Sequence, residues 1–523
     1  MKTKNPFITC NMEIVMINLA QSLERWSDRQ KNKEALIFGE TRLTYGELNA
    51  RVNRLCHALL DLKIEKGKNV AILAYNEYQF IELFLACARM GVMLVPLNFR
   101  LVGPELEYQL NASDSELLIL GEEFQKVISK IRGNLKTVKN HIVLGNPGQG
   151  SDMVPYSEFL AGKSASQPTL TYSVDLDDEF IMIHTSGTTG RPKGAILTQK
   201  NILFTALNQI CDWKCTSDDI TLTSAPLFHA GGSLILTYPL LHIGGTVVLT
   251  KQFNPKLSLR LIEKEKVTIV FAAPAMWAAI QREPDLTKTD LSSLRVCLSG
   301  GSSQPAEEMI KFKKDIGVTL TEGYGLSECS STSTVLRPEV AIEKAGSIGK
   351  PMLHNVLQVV NKSGEEVRPG EVGEIVQRDF TVMKGYYKRP DDTAQTIRDG
   401  WLHTGDLATV DEDGFIYIKG RSKDMIISGA ENIYPVEIET VLIGHPKIAD
   451  AAVVGISHEK WGETVRAFVV LKPGQAMTEA EVIDYCKENL ASYKKPSSVI
   501  FIKELPRNPG GKVQKNILKE SYQ

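Results

Sequence analysis

The chain has 523 residues and a nearly balanced charge, with 60 basic and 62 acidic side chains and a net charge of −2. This length exceeds an ordinary single domain, and a content of 43% hydrophobic and 23% charged residues is typical of a globular protein with a large core. The lack of a basic surplus argues against a nucleic-acid partner. No apolar run has the length of a transmembrane segment and the eight cysteines lack metal-site spacing, so we expect a cytoplasmic protein with reduced thiols.

The first half of the chain alternates between helix and strand patterns. Thr44 and Glu47 have the spacing of a capping box, and they precede an apolar face that continues through Leu48. A second helix is expected at 79–89, and buried strands are expected at 69–74, 92–97, 117–120 and 141–144. This alternation predicts an α/β fold with doubly wound, mainly parallel sheets.

The pattern of predicted helices and strands changes twice in the second half of the chain. Strand patterns recur at 180–183, 245–249, 267–271 and 294–298, and shorter ones at 356–360, 373–377 and 415–418 lie between Gly- and Asp-rich turns. The stretch 346–422 is therefore predicted to be β-rich. After Lys423, helix and strand patterns resume over about 100 residues, which is enough for a small α+β domain. We predict an N-terminal domain over 1–422 and a C-terminal domain over 423–523.

One loop is rich in groups that bind phosphate. Glycines let backbone N–H groups turn inward, hydroxyls add donors, and Lys193 adds a positive charge. Pro192 stands where a Walker A loop requires glycine, so the loop is predicted to hold a polyphosphate in another way. By itself this composition also fits a polar surface turn. The loop begins at Thr185, ends at Lys193 and includes Ser186, Gly187, Thr188, Thr189 and Gly190.

Further clusters of chemically active residues follow in a fixed order. The segment 299–303 follows a predicted strand, where the carboxyl end of an α/β sheet opens a ligand crevice. Tyr324 offers a ring that can stack on a base, and Glu328 offers a carboxylate for a hard cation such as Mg²⁺. The clusters occupy 226–232, 299–303, 321–328, 401–406, 419–421, 428–435 and 506–512.

In this order the clusters resemble the adenylate-forming superfamily, which contains acyl-CoA synthetases, peptide-synthetase adenylation domains and beetle luciferases. The resemblance extends from about Asn18 to Leu518 and points to the acyl-CoA synthetase branch. It implies that a carboxylic acid attacks ATP in the presence of Mg²⁺ to give an acyl-AMP, which coenzyme A then converts to a thioester. It also implies that the C-terminal domain swings about a hinge at Lys423 between the two half-reactions.

The resemblance also implies roles for single residues. For the nucleotide, it implies β,γ-phosphate binding by the 185–193 loop, adenine stacking by Tyr324, a phosphate contact by Ser327, Mg²⁺ binding by Glu328, and ribose contacts from Asp406 and Arg421. For the acyl group, it implies an adenine and acyl border at Gly301 and Ser302 and a gate between the acyl pocket and the thiol tunnel at His229. For the two reaction steps, it implies catalysis of acyl-AMP formation by Lys512 and a loop for the thioester step at Gly429. In that last loop Ala430 replaces the family's second glycine, which costs about 1 kcal/mol if the position requires a positive φ.

The size of the residues near the predicted pocket favours a medium- or long-chain fatty acid as the acyl substrate. Ala230, Gly231 and Gly232 after the gate are small, as are Ser330 and Ser331 after the predicted metal ligand, and small linings leave room for a long chain. A CoA ligase for an aromatic or alicyclic carboxylate is the alternative, followed by a stand-alone amino-acid or aryl adenylation domain and a luciferase-like oxygenase. The expected partners are a small-molecule carboxylic acid, ATP and coenzyme A, with peripheral membrane contact and a homodimer left open.

Overall fold

The computed structural model describes residues 17–185, 192–301, 306–428, 431–458, 461–490, 494–508 and 511–521. Within these ranges the strands are β1 (Glu34–Phe38), β2 (Thr41–Thr44), β3 (Asn69–Leu73), β4 (Met93–Pro96), β5 (Leu117–Gly121), β6 (Asn140–Leu144), β7 (Val154–Pro155), β8 (Glu179–Thr185), β9 (Lys193–Thr198), β10 (Ile220–Thr223), β11 (Thr246–Leu249), β12 (Ile269–Phe271), β13 (Val296–Gly300), β14 (Leu320–Tyr324), β15 (Thr334–Leu336), β16 (Lys350–Pro351), β17 (Leu357–Val360), β18 (Gly373–Gln377), β19 (Gly385–Tyr386), β20 (Ile397–Arg398), β21 (Trp401–Val410), β22 (Ile416–Arg421), β23 (Ile426–Ser428), β24 (Glu431–Ile433), β25 (Ile448–His458), β26 (Gly462–Leu471) and β27 (Ser498–Phe501).

The α-helices of the same ranges are α1 (Gln21–Arg29), α2 (Tyr45–Asp61), α3 (Tyr78–Met90), α4 (Gly103–Ala112), α5 (Gln125–Ile131), α6 (Tyr156–Phe159), α7 (Gln199–Asp212), α8 (Ala230–Leu234), α9 (Thr237–His242), α10 (Pro255–Lys264), α11 (Pro274–Gln281), α12 (Ala306–Ile316), α13 (Pro390–Thr396), α14 (Pro435–Ile443), α15 (Glu479–Asn489) and α16 (Lys515–Ser521). Two 3₁₀ turns, Ser327–Cys329 and Ser422–Asp424, lie at predicted functional positions.

Eight of these strands form the first sheet, in the order β7-β6-β5-β3-β4-β8-β9-β19. The strands from β7 to β8 are parallel, whereas β9 and β19 are antiparallel additions at one edge. Both faces of β3 are buried, because Val70 and Ile72 join one apolar cluster while Ala71 and Leu73 join another. Burial on both faces explains why the parallel strands read as unbroken apolar runs in the sequence.

Nine strands form the second sheet, in the order β2-β1-β11-β10-β12-β13-β14-β15-β16. It is parallel from β1 to β14, and the strands at its two ends are antiparallel. The largest apolar cluster contains Leu94 and Phe180 of the first sheet together with Val247 and Leu298 of the second. The two sheets therefore share one core, and the carboxyl ends of β13 and β14 lie where a ligand crevice is expected.

The stretch 346–422 is β-rich, as predicted, but it is not self-contained. The strands β17, β18, β20, β21 and β22 form an antiparallel sheet of their own. Two short strands from the same stretch leave it, because β16 pairs with β15 in the second sheet and β19 pairs with β9 in the first. This stretch thus contacts both large sheets and supplies residues to the site described below.

The C-terminal part has its own sheet and its own apolar clusters. Its sheet contains β23 to β27, and two clusters consist only of residues from Ile426 onward. Lys423 lies in the 3₁₀ turn between β22 of the β-rich sheet and β23 of the C-terminal sheet. A separate core is what an independent domain requires. The hinge at Lys423 and the boundary beside it stay predictions.

The predicted helices and strands are confirmed, with small shifts at their ends. The capping box at the start of α2 is present, since Thr44 accepts a hydrogen bond from the Glu47 N–H and Glu47 accepts one from the Thr44 N–H. The pairing of β1 with β11 was not predicted, because it joins residues more than 200 positions apart. Among the described residues, no helix is both long and apolar enough to cross a membrane.

Two equivalent helix caps provide a test of the predicted domain boundary. Thr44→Ala removes the cap of α2, and Thr478→Ala removes the matching capping box of α15 in the C-terminal part. Each change should cost about 1 kcal/mol. If residues 423–523 unfold as a unit, Thr478→Ala should lower one calorimetric transition by roughly 4–8 °C, as expected for a unit of about 100 residues.

Thr44→Ala should instead cause a smaller shift in a different transition, because the N-terminal unit is larger. Differential scanning calorimetry of both variants makes the comparison. A single transition that moves by the same amount in both variants would contradict the predicted boundary.

Candidate active site

The predicted phosphate loop is anchored at both ends by an antiparallel hairpin. Thr185, the last residue of β8, pairs with Lys193, the first residue of β9. This pairing fixes Lys193 at the mouth of the loop, because paired strands lie only about 4.8 Å apart. The intervening residues 186–191 lie outside the described ranges and include Ser186, Gly187, Thr188, Thr189 and Gly190.

Lys193 contacts two side chains that come from nearly 200 residues further along the chain. Its ammonium forms an ion pair with the Asp392 carboxylate and lies 5.2 Å from the ring centroid of Tyr386. Both contacts follow from the pairing of β19 with the outer edge of β9, which places Tyr386 opposite Ala195. Only 11% of the Lys193 side chain is exposed. The predicted phosphate-binding lysine is therefore held in one place by a neighbouring anion and an aromatic ring.

Glu328 lies in the 3₁₀ turn that follows β14, at the carboxyl end of the second sheet. Its Oε1 accepts a hydrogen bond of 2.9 Å from the Tyr386 hydroxyl, and its backbone carbonyl accepts one of 2.8 Å from the Met383 N–H. Burial and the Glu328 charge raise the pKa of Tyr386 well above its ordinary value, so the hydroxyl remains a donor. Tyr386 thus contacts both the predicted metal ligand and the predicted phosphate lysine.

The donor set around Glu328 fits Mg²⁺. Among the described residues, no three His, Cys, Asp or Glu side chains gather into a cage that could hold a metal ion by itself. Mg²⁺ is usually held by one or two carboxylates together with substrate phosphates and water. A single carboxylate linked through Tyr386 to the predicted phosphate-binding lysine fits that pattern. Glu328 would hold the ion, and the ion would supply positive charge beside the phosphates.

Tyr324, Asp406 and Arg421 form a second polar group. Asp406 and Arg421 face each other across the β21–β22 pair, and the Arg421 Nε lies 2.8 Å from Oδ1 of Asp406. The Tyr324 hydroxyl donates a hydrogen bond of 2.7 Å to Oδ2 of the same carboxylate. Burial and the Asp406 charge raise the pKa of Tyr324, which keeps this hydroxyl protonated. Asp406 is 6% exposed and is bonded through both carboxylate oxygens, beside the ring that is predicted to stack on adenine.

Lys512, in the C-terminal part of the chain, interacts electrostatically with this polar group. It lies in a turn where the Asn508 N–H donates to its carbonyl at 2.8 Å and its own N–H donates to Asn508 Oδ1 at 2.9 Å. Desolvation lowers the pKa of Lys512, and the positive charge of Arg421 lowers it further. The Asp406 carboxylate acts in the opposite direction. The ammonium therefore lies within electrostatic reach of the predicted ribose site.

His229 lies at the start of α8, beside an aromatic cluster. Its Nδ1 accepts a hydrogen bond of 3.4 Å from the Gly231 N–H. The ring of Phe228 packs edge-on against Phe99 with centroids 5.1 Å apart, and the Arg100 guanidinium lies 5.0 Å from the Phe99 ring. Surrounding protein and the Arg100 charge lower the pKa of His229, although its surface stays open to solvent. A neutral imidazole in a crevice is compatible with a gate, which stays a prediction.

The remaining predicted residues are only partly described. Gly301 follows β13 with a backbone φ of +93°, a conformation that residues other than glycine rarely adopt. Ser327 opens the 3₁₀ turn after β14. Ser302, Gly429 and Ala430 lie outside the described ranges.

The small residues near the predicted gate do not line an open channel. A Cβ on Gly232 would lie 2.1 Å from the Pro226 carbonyl oxygen, so this glycine serves close backbone packing. A Cβ on Gly231 would lie 3.1 Å from the ring of Phe271. Ser330 is buried and donates a hydrogen bond of 2.7 Å to a backbone carbonyl. At Gly231 and Gly232 an aromatic ring and backbone therefore occupy space that the sequence analysis assigned to a long chain, and the inference is wrong for these two residues.

A small cavity lies beside Phe271. It is lined by residues of β10, β12, α8 and α9, among them Thr223 and Thr237. Its volume is about 10 Å³, comparable to one water-sized sphere. The Phe271 ring also lies 3.5 Å from the position of a Cβ on Gly300, at the end of β13. Phe271 thus lies between Gly231 of the predicted gate segment and Gly300, next to the predicted acyl border at Gly301.

Three residues of this site were missed by the sequence analysis. Tyr386 and Asp392 carry no local signal, because they reach the site only through the pairing of β19 with β9. Phe271 is different, since it ends a predicted strand. The rule that ligands bind at the carboxyl ends of parallel strands could have identified it.

Comparisons with known proteins agree with this fold. The sequence-family model for AMP-binding enzymes matches residues 23–387. The family model for the C-terminal domain of AMP-binding enzymes matches residues 437–512. A feruloyl-CoA synthase from an Amycolatopsis species is 39% identical over 96% of this chain and 99% of its own length. A long-chain-fatty-acid–CoA ligase from Mycobacterium tuberculosis is 36% identical over 92% of this chain and 94% of its own length. A crystal structure of an anthranilate CoA ligase in complex with anthranoyl-AMP aligns with a TM-score of 0.88 and 30% identity, over 97% of this chain and 98% of that one.

The chain belongs to the AMP-binding enzyme family, in its acyl-CoA synthetase branch. It is an AMP-forming acid–thiol ligase that uses ATP, Mg²⁺ and coenzyme A. Its α/β architecture is that of the family's solved structures. Family membership does not by itself select the acid, because relatives of similar identity have different acids in their names.

Asp406→Asn tests the predicted ribose site. The change keeps the shape of the side chain but removes the charge that holds Arg421 and Tyr324. Loss of hydrogen bonds to a charged group costs roughly 1.5–3 kcal/mol, so AMP should bind about 10- to 100-fold more weakly in calorimetric titrations. Asp413→Asn, an exposed carboxylate of the same sheet region that pairs with Lys344, is the matched control. Equal AMP affinity in Asp406→Asn and wild type would contradict the assignment.

Proposed function

We propose that this ligase activates an aromatic carboxylic acid and transfers it to coenzyme A. The observation that carries the proposal is the position of Phe271, whose ring lies against both Gly231 and Gly300 at the end of the predicted acyl pocket. The names of the feruloyl-CoA synthase and the anthranilate CoA ligase support the same choice, since ferulate and anthranilate are both aromatic acids. The proposal replaces the fatty-acid expectation, which retains the support of the mycobacterial relative.

An aromatic substrate suits this end of the pocket for a physical reason. The glycines at 231 and 300 let the ring of Phe271 pack close to the backbone, and this half-buried ring would offer an aromatic substrate a partner. Aromatic pairs in edge-on or offset arrangements contribute about 0.5–1.5 kcal/mol beyond burial of their area. A long acyl chain would need a tunnel beyond Phe271, and the cavity found there among the described residues measures about 10 Å³.

The two polar groups of the site have separate roles in the proposed first half-reaction. An oxygen of the substrate carboxylate attacks the α-phosphorus of ATP, the bond to the bridging oxygen breaks, and pyrophosphate leaves. Lys193 and its loop would hold the leaving pyrophosphate, while Asp406 and Arg421 would hold the ribose. Lys512 would place an ammonium where negative charge develops, and Glu328 would hold Mg²⁺ beside the phosphates.

The proposed second half-reaction needs a different surface at the same site. The sulfur of coenzyme A attacks the acyl carbonyl, and AMP leaves. Lys512 would then have to move away, and we place the hinge for that movement at Lys423, between two sheets with separate apolar cores. His229 would separate the acyl pocket from the path of the thiol.

We also retain a cytoplasmic location and the absence of a nucleic-acid partner as parts of the proposal. Vesicle flotation would detect a peripheral membrane contact, and size-exclusion chromatography would detect a homodimer.

A panel of acids tests the substrate class. Pyrophosphate release and thioester formation should be measured with benzoates, hydroxycinnamates and arylacetates, and with saturated fatty acids of eight to sixteen carbons, each with and without coenzyme A. We expect the highest kcat/KM with an aromatic acid. A fatty acid that exceeds every aromatic acid would overturn the proposal, and the absence of any thioester would overturn the assigned chemistry.

Phe271→Ala should change this preference in a defined direction. Removal of the ring opens the pocket toward β10 and removes the aromatic partner. We expect kcat/KM to fall about tenfold for the best aromatic acid and to rise about tenfold for a fatty acid of eight to twelve carbons, within the usual range for a changed hydrophobic pocket. Phe380→Ala, at an exposed phenylalanine that does not line the cavity, is the control. Parallel losses for both acid classes would argue against a role of Phe271 in selection.

Lys512→Ala should separate the two half-reactions. Without the ammonium, acyl-AMP formation should slow by about 10²–10³-fold, whereas thiolysis of supplied acyl-AMP should stay within about threefold of wild type. Lys515→Ala, in which the lost lysine pairs with Glu439, controls for a charge change nearby. Rapid-quench measurements of each step distinguish the outcomes. An equal loss in both steps would contradict the assigned role.

A further inference from the structure

Tyr386 contacts two charged groups of the site with two different parts of its side chain. Its hydroxyl donates a 2.9 Å hydrogen bond to Oε1 of Glu328, while its ring lies under the Lys193 ammonium at 5.2 Å from the centroid. These two groups come from different sheets, since Glu328 follows β14 and Lys193 begins β9. Tyr386 is thus a physical link between the predicted metal ligand and the predicted phosphate lysine.

The hydroxyl restricts the Glu328 carboxylate to one orientation. With Oε1 bonded to Tyr386, the carboxylate cannot rotate without breaking that hydrogen bond. Among the described residues, Oε2 of Glu328 has no hydrogen bond. The second oxygen is therefore left to face a cation, as a monodentate Mg²⁺ ligand requires.

The backbone around Tyr386 is held firmly enough to act as such a link. On either side of it, the Lys384 N–H donates to the Ile196 carbonyl at 2.9 Å and the Tyr387 N–H donates to the Gly194 carbonyl at 2.8 Å. The Tyr386 N–H donates to Thr393 Oγ1 at 2.9 Å, which ties the strand to α13. The hydroxyl and the ring therefore keep fixed positions relative to β9.

We propose that Tyr386 is a positioning residue for acyl-AMP formation, which orients Glu328 toward Mg²⁺ through its hydroxyl and supports Lys193 through its ring. The inference rests on the proposed roles of Glu328 and Lys193. Partners that hold a metal ligand in place typically contribute 10- to 100-fold to metal affinity. Loss of the hydroxyl alone should therefore weaken binding of the nucleotide only when Mg²⁺ is present.

Tyr386→Phe separates the hydroxyl from the ring. The test is calorimetric titration of the full chain with α,β-methylene-ATP, an unreactive analogue, with Mg²⁺ and with the metal removed by chelator. We expect the Mg²⁺ complex to bind about tenfold more weakly than in wild type, and the metal-free analogue to bind within twofold. Tyr387→Phe makes the same chemical change one residue further, where the hydroxyl donates to Asp114, and should alter neither affinity.

A double-mutant cycle with Glu328→Gln shows whether Tyr386 acts through the carboxylate. If it does, the double variant should bind the Mg²⁺ complex no more weakly than Glu328→Gln alone. Tyr386→Leu also removes the ring and should weaken the metal-free analogue as well, because Lys193 loses its support. The Tm of each variant identifies any general loss of folding.

Additive losses in the cycle, or equal weakening of the metal-free and Mg²⁺-bound analogue by Tyr386→Phe, would overturn the inference. Failure of the proposed function has a different signature. In that case wild type would form no aromatic thioester, whatever the binding results. If the Glu328 assignment is wrong, Glu328→Gln itself would leave the Mg²⁺ dependence of binding unchanged.

Discussion

The pairing of β19 with β9 is the constraint on which the phosphate side of the site depends. Without it, Lys193 would begin β9 with neither the Asp392 carboxylate nor the Tyr386 ring beside it. Glu328 would also lose the Tyr386 hydroxyl, the donor that orients its carboxylate. The pairing comprises two residues only, but it is supported by backbone hydrogen bonds on both sides. It also explains why the β-rich stretch cannot be separated from the large sheets. The part from β17 to β22 begins and ends in its own sheet, and it contributes β19 to the first sheet.

The charges of the site are balanced in two separate groups. On one side Lys193 pairs with Asp392, and on the other Arg421 pairs with Asp406. Each cation is therefore held by an anion before any nucleotide binds, which limits the cost of keeping it partly buried. Lys512 stands apart from these pairs, since its nearest charges act on its pKa in both directions. Its position depends on the C-terminal part of the chain, which has a core of its own.

The sequence predicted the elements whose causes are local. The capping box at Thr44 and the apolar strands could be predicted directly, and the ordered clusters indicated the family and most residues of the candidate site. The place of Tyr386 and Asp392 in the candidate site could not be predicted, because strand pairing between distant segments leaves no local sequence pattern. The inference that Gly232 leaves room for an acyl chain was wrong for a related reason. Small residues such as Gly232 indicate close approach of other atoms as readily as empty space, and only the fold shows that a carbonyl lies there.

The contacts that Asp406 makes before any nucleotide binds have a consequence for the proposed turnover. Its carboxylate already accepts a hydrogen bond from Tyr324 and pairs with Arg421, so a ribose at the predicted site would share these oxygens with groups already in place. The net gain in binding free energy would be smaller than for a buried carboxylate with no partner. In the proposed second half-reaction AMP is a product that has to leave, and a modest hold on its ribose would favour that departure. A site whose charges are paired before the nucleotide arrives would thus also be one that can be emptied quickly.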